Sequence, residues 1–245
     1  MRSALALVCG IALAATSSGL ALAHHVGVFV PKDTDVTLNF KQIKAAGQAG
    51  RFDVALKLFD DGILHATMEK HEKNLPPGLE DGLRAALKAR DLPGVELRLS
   101  TFLAFLTRER IRDAATRLSD AGIAPAERRE QARKILNAAW RYYNLADFVI
   151  SKQDPKAAVA LRMAFEDAQT FLGSMLVDPM WAAASNHCRP SAAKDPAGAN
   201  AGLRGSDEKK ALATLALMEE RLGEVIQEGA LVAQRGGAKV FLPKW

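Results

Sequence analysis

The stretch Arg51–Asn74, RFDVALKLFDDGILHATMEKHEKN, decides how this chain is read. Apolar residues recur through it at helical spacing, with charged residues between them. That spacing predicts one amphipathic helix with a single buried stripe. Pro76-Pro77 stops it, because proline lacks the N–H a helix interior needs and disfavours helix in the residue before it. The same 24 residues hold two of the five histidines.

Working outward, the same grammar repeats. Upstream, Leu38, Phe40, Ile43 and Ala46 predict a helix over Val36–Ala49, ended by Gly47 and Gly50. Downstream, helices are expected at Leu79–Ala89, Val95–Ala121, from Pro125 to Ser151 and from Asp154-Pro155 to Leu176. Both prolines suit a helix's first turn. Ser206-Asp207 caps a last helix reaching Gln234. Seven helices and no hairpin signal predict an all-α fold, a bundle of antiparallel helical hairpins.

Three helix starts are alike: Val54-Ala-Leu-Lys-Leu, Val95-Glu-Leu-Arg-Leu and Val159-Ala-Leu-Arg-Met. The first, within KAAGQAGRFDVALKLFDDG, has the small-residue and turn pattern seen in tetratricopeptide helices. The starts lie 41 and 64 residues apart, whereas a tetratricopeptide array repeats at about 34. The repetition therefore reads as hairpins of a bundle, repeat-like but without a regular period.

The first residues, MRSALALVCGIALAATSSGLALA, have one basic residue, an apolar run from Ala4 to Ala15 and a small-residue site at Ala21-Leu22-Ala23. That pattern predicts a signal peptide over 1–23 and places the mature protein in the periplasm, or outside the cell where there is no outer membrane. Val8 before Cys9 is too bulky for a lipoprotein signal. No stretch reaches the roughly 18 apolar residues of a membrane span. The domains expected after the leader are a helical bundle over 24–185, a loop or linker over 186–205 rich in Ala, Gly, Pro and Ser, and a C-terminal helix with a docking tail over 206–245. Removing the leader leaves 32 basic residues against 28 acidic ones, a surplus of +4. So small an excess, spread evenly, argues against a nucleic-acid partner. Cys188 is then the single cysteine, which precludes an internal disulfide.

Chemistry is sought first among the histidines. Cleavage after Ala23 would give His24 a free amine beside its ring, with His25 adjacent, a donor set that chelates copper. Within the organising stretch, about 100° per residue brings His65, Met68, Glu69 and Glu72 to one face, with His71 about 120° from His65. His65 and Glu69 could form half a metal site, completed by another helix or by the N-terminal histidines. Met68 and His71 are reserve ligands, Met68 above all for Cu(I), a soft ion suited to thioether sulfur. The competing reading puts Met68 in the core, His65 at its edge and His71 in solvent near a helix C-terminus, where its charge suits the dipole. His187-Cys188 has no second thiol or imidazole nearby. Without C-x-x-C-H, covalent c-type haem is excluded; non-covalent haem on His65, Met68 or His71 is the weaker option. Trp140 and Tyr143, three apart, read as core, and Arg128, Arg129, Arg133 and Arg141 as a solvated or ion-paired face.

No nucleophile-elbow, zinc-protease, Walker or dinucleotide motif occurs, so nothing points to an enzyme. The layout is similar in a general way to exported helical bundles that handle iron or copper, without a diagnostic motif. The leading expectation is a periplasmic bundle binding a transition metal, copper before iron, for sequestration or delivery. The alternative is a scaffold of helical hairpins whose apolar groove takes a protein or peptide partner.

Overall fold

The computed structural model describes residues 33–173 and 207–234. The expected leader, His24, His25, Cys188, the linker over 186–205 and the tail beyond Gln234 lie outside the described residues. The described residues are all-α, as the periodicity predicts, with eight helices packed on one another.

Four long helices make an up-down-up-down bundle: α5 (Leu92–Leu118), α6 (Pro125–Gln153), α7 (Pro155–Phe171) and α8 (Glu208–Gln234). α5 lies at the centre, packed along α6 on one side and α8 on another. This explains its composition. From Leu99 to Thr107 every side chain is buried, so the helix has no solvent face there. Its buried Thr101 and Thr107 hydroxyls donate to the carbonyls of Leu97 and Leu103 one turn back, at 2.9 and 2.8 Å, which satisfies polar atoms that would otherwise be costly to bury.

α6 and α7 turn about one residue, Asp154, whose carboxylate accepts from the N–H groups of Lys156 and Ala157. They pack through Trp140, Tyr143 and Phe165, with ring centroids 5.0–5.5 Å apart. The buried Tyr143 hydroxyl donates to the Ala158 carbonyl at 2.9 Å. Burial, and secondarily Asp147, pushes this phenol well above the usual tyrosine range. α8 starts where α7 ends: the Asp207 N–H donates to the Phe171 carbonyl at 3.0 Å, and its carboxylate caps Lys210 N–H. Glu208 then meets Arg128 and Arg129 of α6 at 2.6 and 2.9 Å. At the far end, Arg98 of α5 donates to the Ala233 carbonyl at 2.7 Å. The last helix is thus fixed at both ends, and Arg128, Arg129 and Arg133 of α6, the last paired with Glu130, are ion-paired as expected of that face.

Four shorter helices stand beside the bundle, α1 (Asp35–Gln48), α2 (Phe52–Asp60), α3 (Ile63–His71) and α4 (Leu79–Lys88); α1 and α4 pack on α5, while α2 packs on α1, α3 and α4, and α3 on α1 and α2. Here the structure corrects the sequence. Arg51–Asn74 is not one helix but α2, a break at Asp61-Gly62, α3 and a 3-10 turn over Glu72–Asn74. The physical reason is a residue on another element. Buried Asn39 of α1 donates through Nδ2 to the Leu58 carbonyl at 2.9 Å and accepts through Oδ1 from the Leu64 N–H at 3.0 Å. One side chain therefore serves an unsatisfied carbonyl ending α2 and an unsatisfied N–H opening α3. Gly62 is needed for the approach, since a Cβ there would lie 2.2 Å from the Leu58 oxygen and 2.3 Å from Asn39 Oδ1. The break also rephases the stripe: Phe52, Ala55 and Phe59 are buried before it, Leu64 and Met68 after it, and Ile63 is left 45% exposed.

Candidate functional site

Two places on α1–α4 gather side chains that chemistry could use. The first surrounds His65. Its Nδ1 lies 3.2 Å from the Asp60 carbonyl, which can only accept, so Nδ1 carries a proton. Its Nε2 lies 2.9 Å from Glu80 Oε1 of α4, 3.7 Å from Glu69 Oε1 and 3.2 Å from Arg84 Nη2. Arg84 also reaches Asp60 and Glu80, at 3.0 and 3.2 Å, and stands over the Phe59 ring. The bond to Asp60, above all, raises its pKa further. When the ring is neutral, Nε2 is an acceptor for Arg84; when doubly protonated, it donates to Glu80.

The structure therefore brings His65 and Glu69 together, as the helical spacing predicts, and adds Glu80, which no local spacing could reveal. It also places a guanidinium where an ion would need the Nε2 lone pair. Met68 is fully buried and belongs to the core. His71 ends α3 with its ring edge-on to Phe105 at 5.3 Å, away from the His65 group. Among the described residues, no three His, Cys, Asp or Glu side chains are arranged to hold a metal ion.

The second place is a groove of about 430 Å³ between α1 and the α2–α3 break, within the ~300–1,000 Å³ span of ligand clefts. Asn39, Leu58 and Gly62 belong to its lining, so the hydrogen bonds that break the helix also shape the groove. Leu38, Val54 and Ile63 line it too, 47, 46 and 45% exposed. Eight large apolar side chains are left exposed on the described surface, and these are three of them. Asp35, Lys57 and Asp61 are its charged members. Asp35 and Asp61 have no ion pair among the described residues, whereas the neighbouring Asp33 and Asp60 are paired to Lys41 and Arg84.

Sequence reasoning missed this groove because a continuous helix would have turned Gly62 and Ile63 inward. The signal was present in the spacing: the step from Phe59 to Leu64 is five residues, which one helical stripe does not accommodate.

Comparison with known proteins finds no family, no curated relative and no solved structure that matches this chain.

Proposed function

We propose that this is an exported helical protein whose groove between α1 and the α2–α3 break binds a protein or peptide segment in the periplasm. The observation that carries the reading is the convergence of Leu38, Val54 and Ile63 on one concave surface. Scattered exposed apolar residues need no explanation, but three around one cleft, beside carboxylates with no ion pair among the described residues, are the pattern of a docking surface. Nothing in the groove resembles a nucleophile with its base, so the reading is one of binding.

The test is selection of short peptides on the full chain from a displayed random library. Selected peptides are expected to lose at least about tenfold in affinity to Leu38→Asp or Val54→Asp, since each change puts a charge where an apolar contact formed. Val159→Asp, on exposed α7, should leave binding unchanged. Peptides indifferent to both groove substitutions would defeat the reading.

The second reading is copper or iron binding for sequestration or delivery, and its support is the pairing of His65 with Glu69 one turn on, half a site at most. It requires His24 and His25 as ligands, or displacement of Arg84 from His65 Nε2. Elemental analysis of periplasmic protein exposed to Cu(I), Cu(II) and Fe(II) decides it. Near-stoichiometric metal lost in His24→Ala or His65→Ala is the result it expects; protein that stays metal-free ends it.

A further inference from the structure

A groove with an apolar rim raises the question of what covers it, and the chain itself carries a segment of matching chemistry. Residues 235–245, RGGAKVFLPKW, combine an apolar triplet, Val240-Phe241-Leu242, with three basic residues and no acidic one. The groove offers Leu38, Val54 and Ile63 beside two carboxylates with no ion pair among the described residues, Asp35 and Asp61, against one cation in its lining, Lys57. We propose that the groove's resident occupant is the chain's own segment Lys239–Lys244, which any external partner must displace. The inference rests on the reading of the groove as a binding surface.

Reach permits it. α8 ends where Arg98 holds the Ala233 carbonyl. On the same turn of α5, Glu96 accepts from Gln48 at the end of α1 at 2.9 Å. From Gln48 back to Gln42, which lines the groove, is six residues, about 9 Å at 1.5 Å per residue. Phe241 stands seven residues beyond Gln234, a reach of about 24 Å when extended, which exceeds the run along α1. Exposed Phe148 on α6 offers the opposite charge: it is flanked by Lys44 and Lys152, at 5.6 and 4.0 Å from its ring, which repel a basic segment.

Tethering gives the segment an effective concentration on the order of 1 mM. If its intrinsic Kd is about 100 μM, it fills the groove about nine-tenths of the time. An outside peptide is then weakened about tenfold, because only the empty fraction can bind.

The experiment replaces Phe241 of the full chain with a photo-crosslinking phenylalanine analogue. After irradiation, the linked peptides are mapped by mass spectrometry. The expected product is an intramolecular link to residues 33–63, reduced at least about tenfold by Val54→Asp and unchanged by Val159→Asp. Links to other elements, links indifferent to Val54→Asp, or links only between two copies overturn the proposal. In parallel, Phe241→Asp in the full chain should tighten a library-selected peptide about tenfold. Groove-dependent peptide binding without the link and without this gain would retire the self-segment and leave the groove standing; peptides that ignore the groove would retire both.

Discussion

The hairpins α1–α2 and α4–α5 are two versions of one design, and their difference explains where the groove comes from. Each first helix ends in the same way. The Arg51 N–H donates to the Ala46 carbonyl and Gly50 N–H to Gly47; forty residues on, Asp91 N–H donates to Ala86 and Arg90 N–H to Leu87. Both are Schellman ends with a left-handed residue, φ 73° at Gly50 and 58° at Arg90. The second helices then part company. α5 runs on for 27 residues, while α2 stops after nine. The residues forty positions beyond Asn39 and Gly62 are Leu79 and Phe102, both buried and apolar. One pair keeps a helix whole and fills the core; the other breaks it and opens a cleft.

That contrast can be broken most forcefully at Gly62. Gly62→Ala puts a methyl group into the Leu58 carbonyl and Asn39, and it should cost about 3 kcal/mol, read as a lowered denaturation midpoint in urea. Next comes Asn39→Leu, which installs the residue of the intact hairpin. It leaves the Leu58 carbonyl and Leu64 N–H without their partner, and a loss of about 2 kcal/mol is expected. Hydrogen exchange should quicken at Leu64 while the amides of α5 keep their protection. An unchanged Leu64 rate would mean that the break does not depend on Asn39. The smallest effect sharpens the likeness of the two turns. Arg90→Gly removes a side chain from the left-handed region and should raise stability by about 1 kcal/mol, whereas Gly50→Ala should lower it by a similar amount.

The same pair of hairpins shows what could be read in advance. Caps, prolines and apolar spacing locate the helices to within a few residues, because those signals are local: Asp154 and Asp207 bond to N–H groups two or three residues away. The likeness of Val54 and Val95 was legible too, but its register was one residue off. At the structural period of forty, Val95 matches Ala55, both fully buried, and Val54 falls on the surface at 46% exposure. Asn39 acts on residues 19 and 25 positions away, and nothing in the local pattern of Arg51–Asn74 announces it. His65 repeats the lesson. Its neighbour Glu69 is a matter of helical spacing, but Glu80 and Arg84 arrive from α4 only once the chain has folded.

The bond from Arg98 to Ala233 spans 135 residues, and that from Arg112 to Glu219 spans 107. The central helix thus completes its surroundings with the last helix described. Loop closure over such separations is slow compared with forming a hairpin. Refolding should therefore show an early phase that protects α5 and α6 and a later one as α8 seats. Until that second event, the α8-facing side of α5 is bare, and the half-folded chain is most exposed to aggregation and to proteolysis.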